Sequence, residues 1–121
     1  MSDPVSDPVS DLSAEDRKLV TLARATRART GAREGAAVRD QDGRTYAAAT
    51  VDLPSLRVSA LGVCVAMAVA SGARSLEAAV VLGDAGAVAD ADLAAVRDLA
   101  GTGVPVHVGD PRGTVATTVA T

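Results

Sequence analysis

The sequence predicts an α/β protein: a three-layer α-β-α sandwich whose mixed sheet has about four to five strands. Segments with helical patterning alternate with short apolar runs of strand length, in the order α-β-β-α-β-α-β. Hydrophobic residues make up 48 % of the chain, but they are almost all Ala, Val and Leu, with one Tyr and no Phe or Trp. Side chains this small favour close approach between helices and a sheet. A chain of 121 residues has room for one such domain.

The N-terminal segment contains a tandem SDPV repeat. Each repeat brings a proline and an aspartate, so this segment cannot sustain a helix or bury much surface. We expect a mobile tail at 1–12 and a single domain at 13–121.

The first helix is predicted over Ser13–Thr30. Ser13 and Asp16 have the spacing of an N-terminal cap, apolar residues follow at helical intervals, and Gly31 marks the end. A hairpin comes next, because two stretches rich in small and β-branched residues flank the turn signal "DQDG". Its strands are predicted at Gly35–Arg39 and Thr45–Val51.

The stretch Val58–Ala73 carries no charge. Pro54 breaks the chain before it, and we predict a central helix over Val58–Ser71 with Gly72 as its stop. Because this helix is apolar on every side, we expect it to be buried all round. A membrane span needs about 20 apolar residues, so the shorter run predicts a core helix and no association with a membrane.

The last third of the chain continues the alternation. We predict a strand at Leu76–Gly83, a helix at Asp90–Ala100 with Asp90 as its cap, and a strand at Val104–Val108. The closing "TVATTVAT" leaves room for one more strand. The sheet should therefore begin with an antiparallel hairpin and continue with parallel crossover units, covered by helices on both faces.

The charge and the cysteine content restrict the kinds of partner and the cellular compartment that we expect for this protein. The net charge is −3, from 12 basic and 15 acidic residues mixed along the sequence. With no basic patch and one Tyr, we expect no nucleic-acid partner. The N-terminus lacks the pattern of a secretory signal, and Cys64 has no partner for an intrachain disulfide. A cytoplasmic location is predicted.

A family resemblance is carried by "GAAV", then "DG", then a Tyr opening the second strand, then a central helix ending "A-x-x-S-G-A". This order and spacing resembles the small homotetrameric cytidine deaminases, from Leu19 to about Arg112. The resemblance implies that family's fold. It also implies a zinc held by Cys and Cys/His side chains, with a Glu that moves protons to the zinc-bound hydroxide.

The family's two catalytic motifs are Cys-Ala-Glu and Pro-Cys-x-x-Cys, each at the start of a helix. Counted from the end of the central helix, Ser59 and Leu61 occupy the positions of the first Cys and the Glu. Counted back from the strand that follows, Asp90 and Leu93 occupy the two later Cys positions. We therefore assign no catalytic residue, no metal ligand and no cofactor.

Two alternative assignments would make Cys64 a zinc ligand. A shifted register makes Cys64 the first ligand, but Ala66 then stands where the Glu should be. Zinc could otherwise be held by Cys64, His107 and an Asp, although His107 lies in a predicted strand away from the motif positions. The simplest expectation is that Cys64 is a small buried hydrophobe.

The resemblance also implies a ribose-binding stretch after the second strand, where this chain has Thr50, Asp52 and Leu53. The aromatic residue that stacks on the pyrimidine in this family has no counterpart. Thr50, Asp52 and Ser59 remain candidates for a remnant pocket, although the simpler explanation is that Thr50 is a strand residue and Asp52 a turn former before Pro54.

Three functions follow as hypotheses. The first is a catalytically inactive cytidine deaminase-like protein with a structural or interaction role, as a homo-oligomer (dimer or tetramer) or with an unknown protein partner. The second is an active deaminase with an unorthodox site. The third is a nucleoside-binding sensor that uses the remnant pocket.

Overall fold

The computed structural model describes residues 12–121. In chain order the elements are α1 (Ala14–Thr30), β1 (Glu34–Asp40), β2 (Thr45–Ala49), β3 (Val51–Leu53), β4 (Leu56–Val58), α2 (Ala60–Ala70), β5 (Leu76–Gly83), α3 (Asp90–Ala100), β6 (Pro105–Gly109) and β7 (Val115–Ala120). Five strands form one sheet in the order β2-β1-β5-β6-β7, and β3 and β4 form a separate pair. The predicted α/β fold with a mixed sheet is confirmed.

The directions of the strands combine hairpins with a crossover. β1 is antiparallel to both of its neighbours, β2 and β5. β5 and β6 run parallel and are connected through α3, which is the expected crossover unit. β7 is antiparallel to β6 and supplies the additional strand for which the sequence left room.

Helices cover both faces of the sheet. α1 packs on one face, where Leu19, Ala37 and Val80 belong to one buried cluster. α2 and α3 cover the other face, where Leu61 and Val96 belong to a second cluster. The small residues of the chain permit this close layering.

The ends of α1 are those that the sequence predicts. The Ser13 side chain accepts a hydrogen bond from the Asp16 N–H at 3.0 Å, and Gly31 has a φ of +66°. The prediction for the third helix is wrong in one respect. The N-cap of α3 is Ala89, which makes no side-chain hydrogen bond, and Asp90 is the first helical residue. The charge of Asp90 still lies in the first turn, where the helix dipole favours it.

The turn between β1 and β2 is organised by Asp40, which is almost fully buried. Its carboxylate accepts hydrogen bonds from the N–H groups of Asp42 and Arg44 and from the Tyr46 hydroxyl, at 2.9, 3.0 and 2.9 Å. Burial by itself raises the pKa of Asp40, but these hydrogen bonds outweigh it and hold that pKa below its usual range. The hydroxyl of Tyr46, the chain's one tyrosine, therefore stabilises the hairpin through its hydrogen bond to Asp40.

The segment between the first hairpin and α2 differs from the prediction. β2 ends at Ala49, and β3 pairs antiparallel with β4 as a small hairpin that reverses at Pro54 and Ser55. Val58 therefore belongs to a strand, paired with Val51, and α2 begins at Ala60. Pro54, which the sequence predicts as a break in the chain, forms the turn of this hairpin together with Ser55.

The expectation that the central helix is buried all round is also wrong. Ala66, Val69 and Ala70 of α2 are exposed, and 53 % of the Val69 surface is accessible. The helix lies in an outer layer, so the sheet and α3 cover only part of its circumference. Within residues 12–121, no helix is both long enough and apolar enough to cross a membrane. The predicted tail lies outside the described residues, except for Leu12, which is buried against the α1 core.

Candidate functional site

The N-termini of α2 and α3 meet at one end of the sandwich. Ser59 is the N-cap of α2, and its Oγ accepts a hydrogen bond from the Gly62 N–H at 3.0 Å. The same hydroxyl donates a hydrogen bond to Asp92 Oδ1 at 2.6 Å. Asp92 lies in the first turn of α3. One serine hydroxyl thus caps one helix and binds a carboxylate of the other.

A cavity of about 220 Å³ lies beside this junction. Thr50, Asp52 and Ser59, the three pocket residues that the sequence predicts, all line it. Their polar groups already have partners. The Thr50 hydroxyl bonds the backbone of Glu34, accepting from its N–H at 3.1 Å and donating to its carbonyl at 3.4 Å. Asp52 lies 3.4 Å from the guanidinium of Arg57, and both of these side chains are exposed.

A second cavity, of about 240 Å³, lies next to the first and shares two of its lining residues, Arg33 and Glu34. Asp84 and Ala85 complete its lining. The side chain of Glu34 rests against the bare backbone of Gly83, where an added Cβ would lie 3.0 Å from the Glu34 Cγ. Glu34 is therefore the carboxylate that the two cavities have in common.

Glu34 has a perturbed pKa. Burial is the largest cause, the negative charge of Asp92 adds to it, and the nearby Arg33 offsets part of it, so the pKa of Glu34 is raised. Glu34 is not among the site residues predicted from the sequence, because the first strand is predicted to begin at Gly35. The sequence feature that could have identified Glu34 is its charge, immediately before the apolar "GAAV" stretch.

The four positions that the family resemblance assigns to the catalytic motifs lie at the N-termini of α2 and α3, but their side chains differ in surroundings. Ser59 lies at the junction, whereas Leu61 is completely buried in the core between α2 and the sheet. Asp90 is exposed, and Leu93 packs half-buried against the same core as Leu61. The two leucines therefore contribute packing and no chemistry.

Cys64 and His107 lie on opposite faces of the sheet. Cys64 is buried in the α2 layer, where its thiol donates a hydrogen bond to the Tyr46 carbonyl at 3.6 Å. Burial raises the pKa of the Cys64 thiol to about 12. His107 faces α1 and contacts Asp16 at 2.8 Å. The structure therefore does not bring together the alternative ligand set of Cys64, His107 and an aspartate.

The residues at the helix junction do not fit the zinc that the family resemblance implies. Catalytic zinc is bound by three protein ligands drawn from His, Cys and carboxylates. Residues 12–121 contain no group of three such side chains placed to hold a metal ion. At the junction itself, the donors are a serine hydroxyl and a carboxylate that are already bonded to each other.

The strand order, the helices on both faces and the two helix N-termini converging at one end define the class of protein as an α-β-α sandwich of the deaminase type. Residues 12–113 match the family described as cytidine deaminase-like. The chain belongs to this family. No curated protein matches the chain significantly.

Solved structures agree on the fold. The chain is similar to a cytidine deaminase from Burkholderia pseudomallei at 22 % identity and a TM-score of 0.77, covering 90 % of this chain and 93 % of that one. A cytidine deaminase from Mycobacterium leprae is 20 % identical with a TM-score of 0.68, covering 87 % and 94 %. A mutant cytidine deaminase from Mycobacterium tuberculosis is 20 % identical with a TM-score of 0.67, covering 79 % and 85 %.

Proposed function

We propose that this chain is a catalytically inactive member of the cytidine deaminase-like family with a structural or interaction role, acting as a homo-oligomer. The Ser59–Asp92 hydrogen bond carries the proposal, because it joins the two helix N-termini at which the family's motifs begin. Deamination in this family needs a metal-activated hydroxide and a carboxylate that moves protons. Leu61, at the position of that carboxylate, is buried in the core and can do neither.

The experiment combines zinc content with activity. We expect purified protein to contain no stoichiometric zinc and to release no ammonia from cytidine or deoxycytidine. About one zinc per chain together with ammonia release would establish the alternative, an active deaminase with an unorthodox site. A Cys64→Ser variant then decides whether Cys64 takes part, since an essential ligand or nucleophile cannot be replaced without loss of turnover.

Exposed apolar surface supports the homo-oligomer. Leu53 and Leu56, on either side of the small hairpin's turn, are 55 % and 53 % accessible. The exposed face of α2 adds Val69 and two alanines without any charge. Apolar surface of this kind is typical of protein–protein interfaces. A dimer or tetramer would cover it, and an unknown protein partner is the alternative occupant.

Light scattering coupled to size-exclusion chromatography tests this assembly. We expect a dimer or tetramer, and we expect Val69→Asp to shift it towards the monomer, because burying a charge in an apolar interface is costly. Leu22→Asp is the matched control, since Leu22 is an exposed leucine on α1, on the other side of the sheet. A wild-type monomer at all concentrations would rule out self-association.

A second candidate, a nucleoside-binding sensor, is favoured by one observation: Thr50, Asp52 and Ser59 line a single cavity together with Glu34. A bound ligand raises the unfolding midpoint by mass action. Cytidine, uridine and their deoxy forms at millimolar concentration should raise it in the wild-type protein and less in Asp52→Ala. No shift with any nucleoside would eliminate this candidate.

We also propose a cytoplasmic location, which rests on the single cysteine and the absence of a disulfide partner. Cell fractionation with an antibody against the protein tests it, and recovery in an extracytoplasmic fraction would contradict it.

A further inference from the structure

We propose that the Ser59–Asp92 hydrogen bond is a clasp that holds α2 and α3 together at their N-termini, and that the fold needs no metal ion at this junction. This inference concerns the stability of the fold and does not depend on whether the chain has activity. It rests on the geometry of two side chains that are separated by 33 positions in sequence.

The geometry is that of a strong polar contact. The Ser59 Oγ lies 2.6 Å from Asp92 Oδ1, a length typical of a hydroxyl bonded to an ionised carboxylate. Ser59 and Asp92 are both half-buried, so water competes less for the contact than at an open surface. The Gly62 N–H donates to the same Oγ and orients the hydroxyl. The three groups form a chain from the backbone of α2 to the side chain of α3.

Asp92 adds to the few polar groups at these two N-termini, which otherwise are the Ser59 cap of α2 and the exposed Asp90 of α3. The first turn of α2 has no acidic residue, and the N-cap of α3 is Ala89, whose side chain accepts nothing. An anionic group at a helix N-terminus is stabilising because it complements the dipole and the free N–H groups. The Asp92 carboxylate lies within the first turn of α3 and reaches α2 through Ser59. The Asp92 carboxylate therefore interacts with the N-terminal ends of both helices.

The rest of the contact between these helices is apolar. Leu93 and Val96 of α3 belong to the same core cluster as Leu61 and Cys64 of α2. Apolar contacts are not directional, so they leave the two helices some freedom in their relative position. A hydrogen bond of fixed length at one end removes that freedom. The clasp therefore specifies where α3 begins relative to α2, a position that apolar packing does not fix.

A double-mutant cycle tests the clasp in the full chain. Ser59→Ala and Asp92→Ala should each lower the midpoint of thermal unfolding, by about 4–8 °C, because a hydrogen bond to a charged group is lost. The double variant should unfold at about the midpoint of the less stable single variant. A drop in the double variant equal to the sum of the two single drops would mean that the residues act independently, and it would overturn the proposal.

Asp90→Ala is the matched control. Asp90 lies in the same first turn of α3 and has a similar effect on the dipole, but it is exposed and does not contact Ser59. We expect a smaller drop for Asp90→Ala, and this drop should add to that of Ser59→Ala. If Asp90→Ala couples to Ser59→Ala as strongly as Asp92→Ala does, the effect belongs to the dipole and not to the clasp.

Three further measurements keep the test decisive. If an alanine variant does not fold, Asp92→Asn retains an acceptor and should give an intermediate midpoint in the same cycle. In hydrogen exchange, Asp92→Ala should speed exchange of the Gly62 amide, which Asp92 does not touch; an unchanged rate contradicts the clasp.

Chelation with EDTA should leave the wild-type midpoint unchanged, and a lower midpoint would show that a metal holds the junction.

Discussion

His107 Nε2 lies 2.8 Å from Asp16 Oδ2, a contact that joins β6 to the first turn of α1. The other ring nitrogen lies 2.8 Å from the Thr118 hydroxyl, so both nitrogens of the chain's one histidine have partners. The second carboxylate oxygen of Asp16 lies 2.9 Å from Arg39 Nη1, and Arg39 also binds Glu77 at 2.9 Å. This network connects α1 to four strands of the sheet, β1, β5, β6 and β7, and it engages the histidine of the alternative zinc ligand set.

The network predicts a loss of stability in acid. Burial by itself raises the pKa of Asp16, but contacts with His107 and Arg39 outweigh it, and the pKa is lowered from 3.8. A lowered pKa stabilises the fold above the unfolded-state pKa, and this contribution disappears as the pH falls through the folded-state pKa. The free energy of unfolding should therefore fall below about pH 4, and Asp16→Asn should flatten that part of the profile.

Urea unfolding followed by circular dichroism between pH 7 and pH 2 measures this effect. Glu15→Gln is the control, because Glu15 lies in the same turn of α1 but its carboxylate is largely exposed and contacts only Lys18. Its profile should follow that of the wild type. A Glu15→Gln profile as flat as that of Asp16→Asn would show that the acid sensitivity does not come from the network.

Much of this fold could be predicted because its elements are long or clearly bounded. The cap at Ser13, the glycine at the end of α1 and the apolar run of β5 each give a local signal that the structure reproduces. β3 and β4 were missed because strands this short are too brief for an alternating pattern. In such a segment, Pro54 is as consistent with a break as with a turn.

The site could be predicted only in part, for a physical reason. Counting from the family motif found Thr50, Asp52 and Ser59, which line one cavity. Motif counting could not show that the Thr50 and Ser59 hydroxyls are already bonded, because their partners Glu34 and Asp92 come from distant elements. The role of Glu34 likewise depends on its proximity to Asp92, which exists only in the folded chain.

Cys64 is predicted to be chemically inert in the folded protein. Its pKa of about 12 leaves almost no thiolate at neutral pH, and the sulfur is buried. Iodoacetamide at pH 8 should label the native protein very slowly and the urea-unfolded protein quickly. Cys64→Ala should retain the fold with a loss of about 1 kcal/mol from reduced packing. Labelling of the native protein as fast as that of the unfolded protein would contradict the burial of this residue.

Gly35 is predicted to set the distance between α1 and β1. A Cβ at this position would overlap the Ala23 carbonyl oxygen and lie 2.7 Å from the Arg27 Cβ. Gly35→Ala should therefore force α1 away from the sheet and lower the free energy of unfolding by about 2 kcal/mol.

Gly43→Ala separates this packing effect from backbone strain. Gly43 has a φ of +82° and no atom within 4 Å of an added Cβ, so its replacement should cost only about 1 kcal/mol of conformational strain. Equilibrium unfolding in urea compares the two variants. A larger loss for Gly43→Ala than for Gly35→Ala would mean that α1 is not held against β1 as closely as the structure indicates.

Glu34 should destabilise the fold when it is ionised. Its pKa is raised above 4.5, first by burial and then by the charge of Asp92, so its contribution to stability is complete below the unfolded-state pKa and is lost as the pH rises through the folded-state pKa. Relative to the wild type, Glu34→Gln should therefore gain stability between pH 4 and pH 7. Urea unfolding at pH steps across that range measures the difference.

The contribution of Asp92 to this effect can be isolated. In an Asp92→Asn background the neighbouring negative charge is absent. The stability that Glu34→Gln gains as the pH rises should therefore become smaller, while the part of the gain due to burial remains. Asp98→Asn, an exposed acid near the other end of α3, is the control and should leave the gain unchanged. A gain that is the same in all three backgrounds would mean that the charge of Asp92 does not affect the pKa of Glu34. The two carboxylates would then lie further apart in the folded protein than the structure indicates.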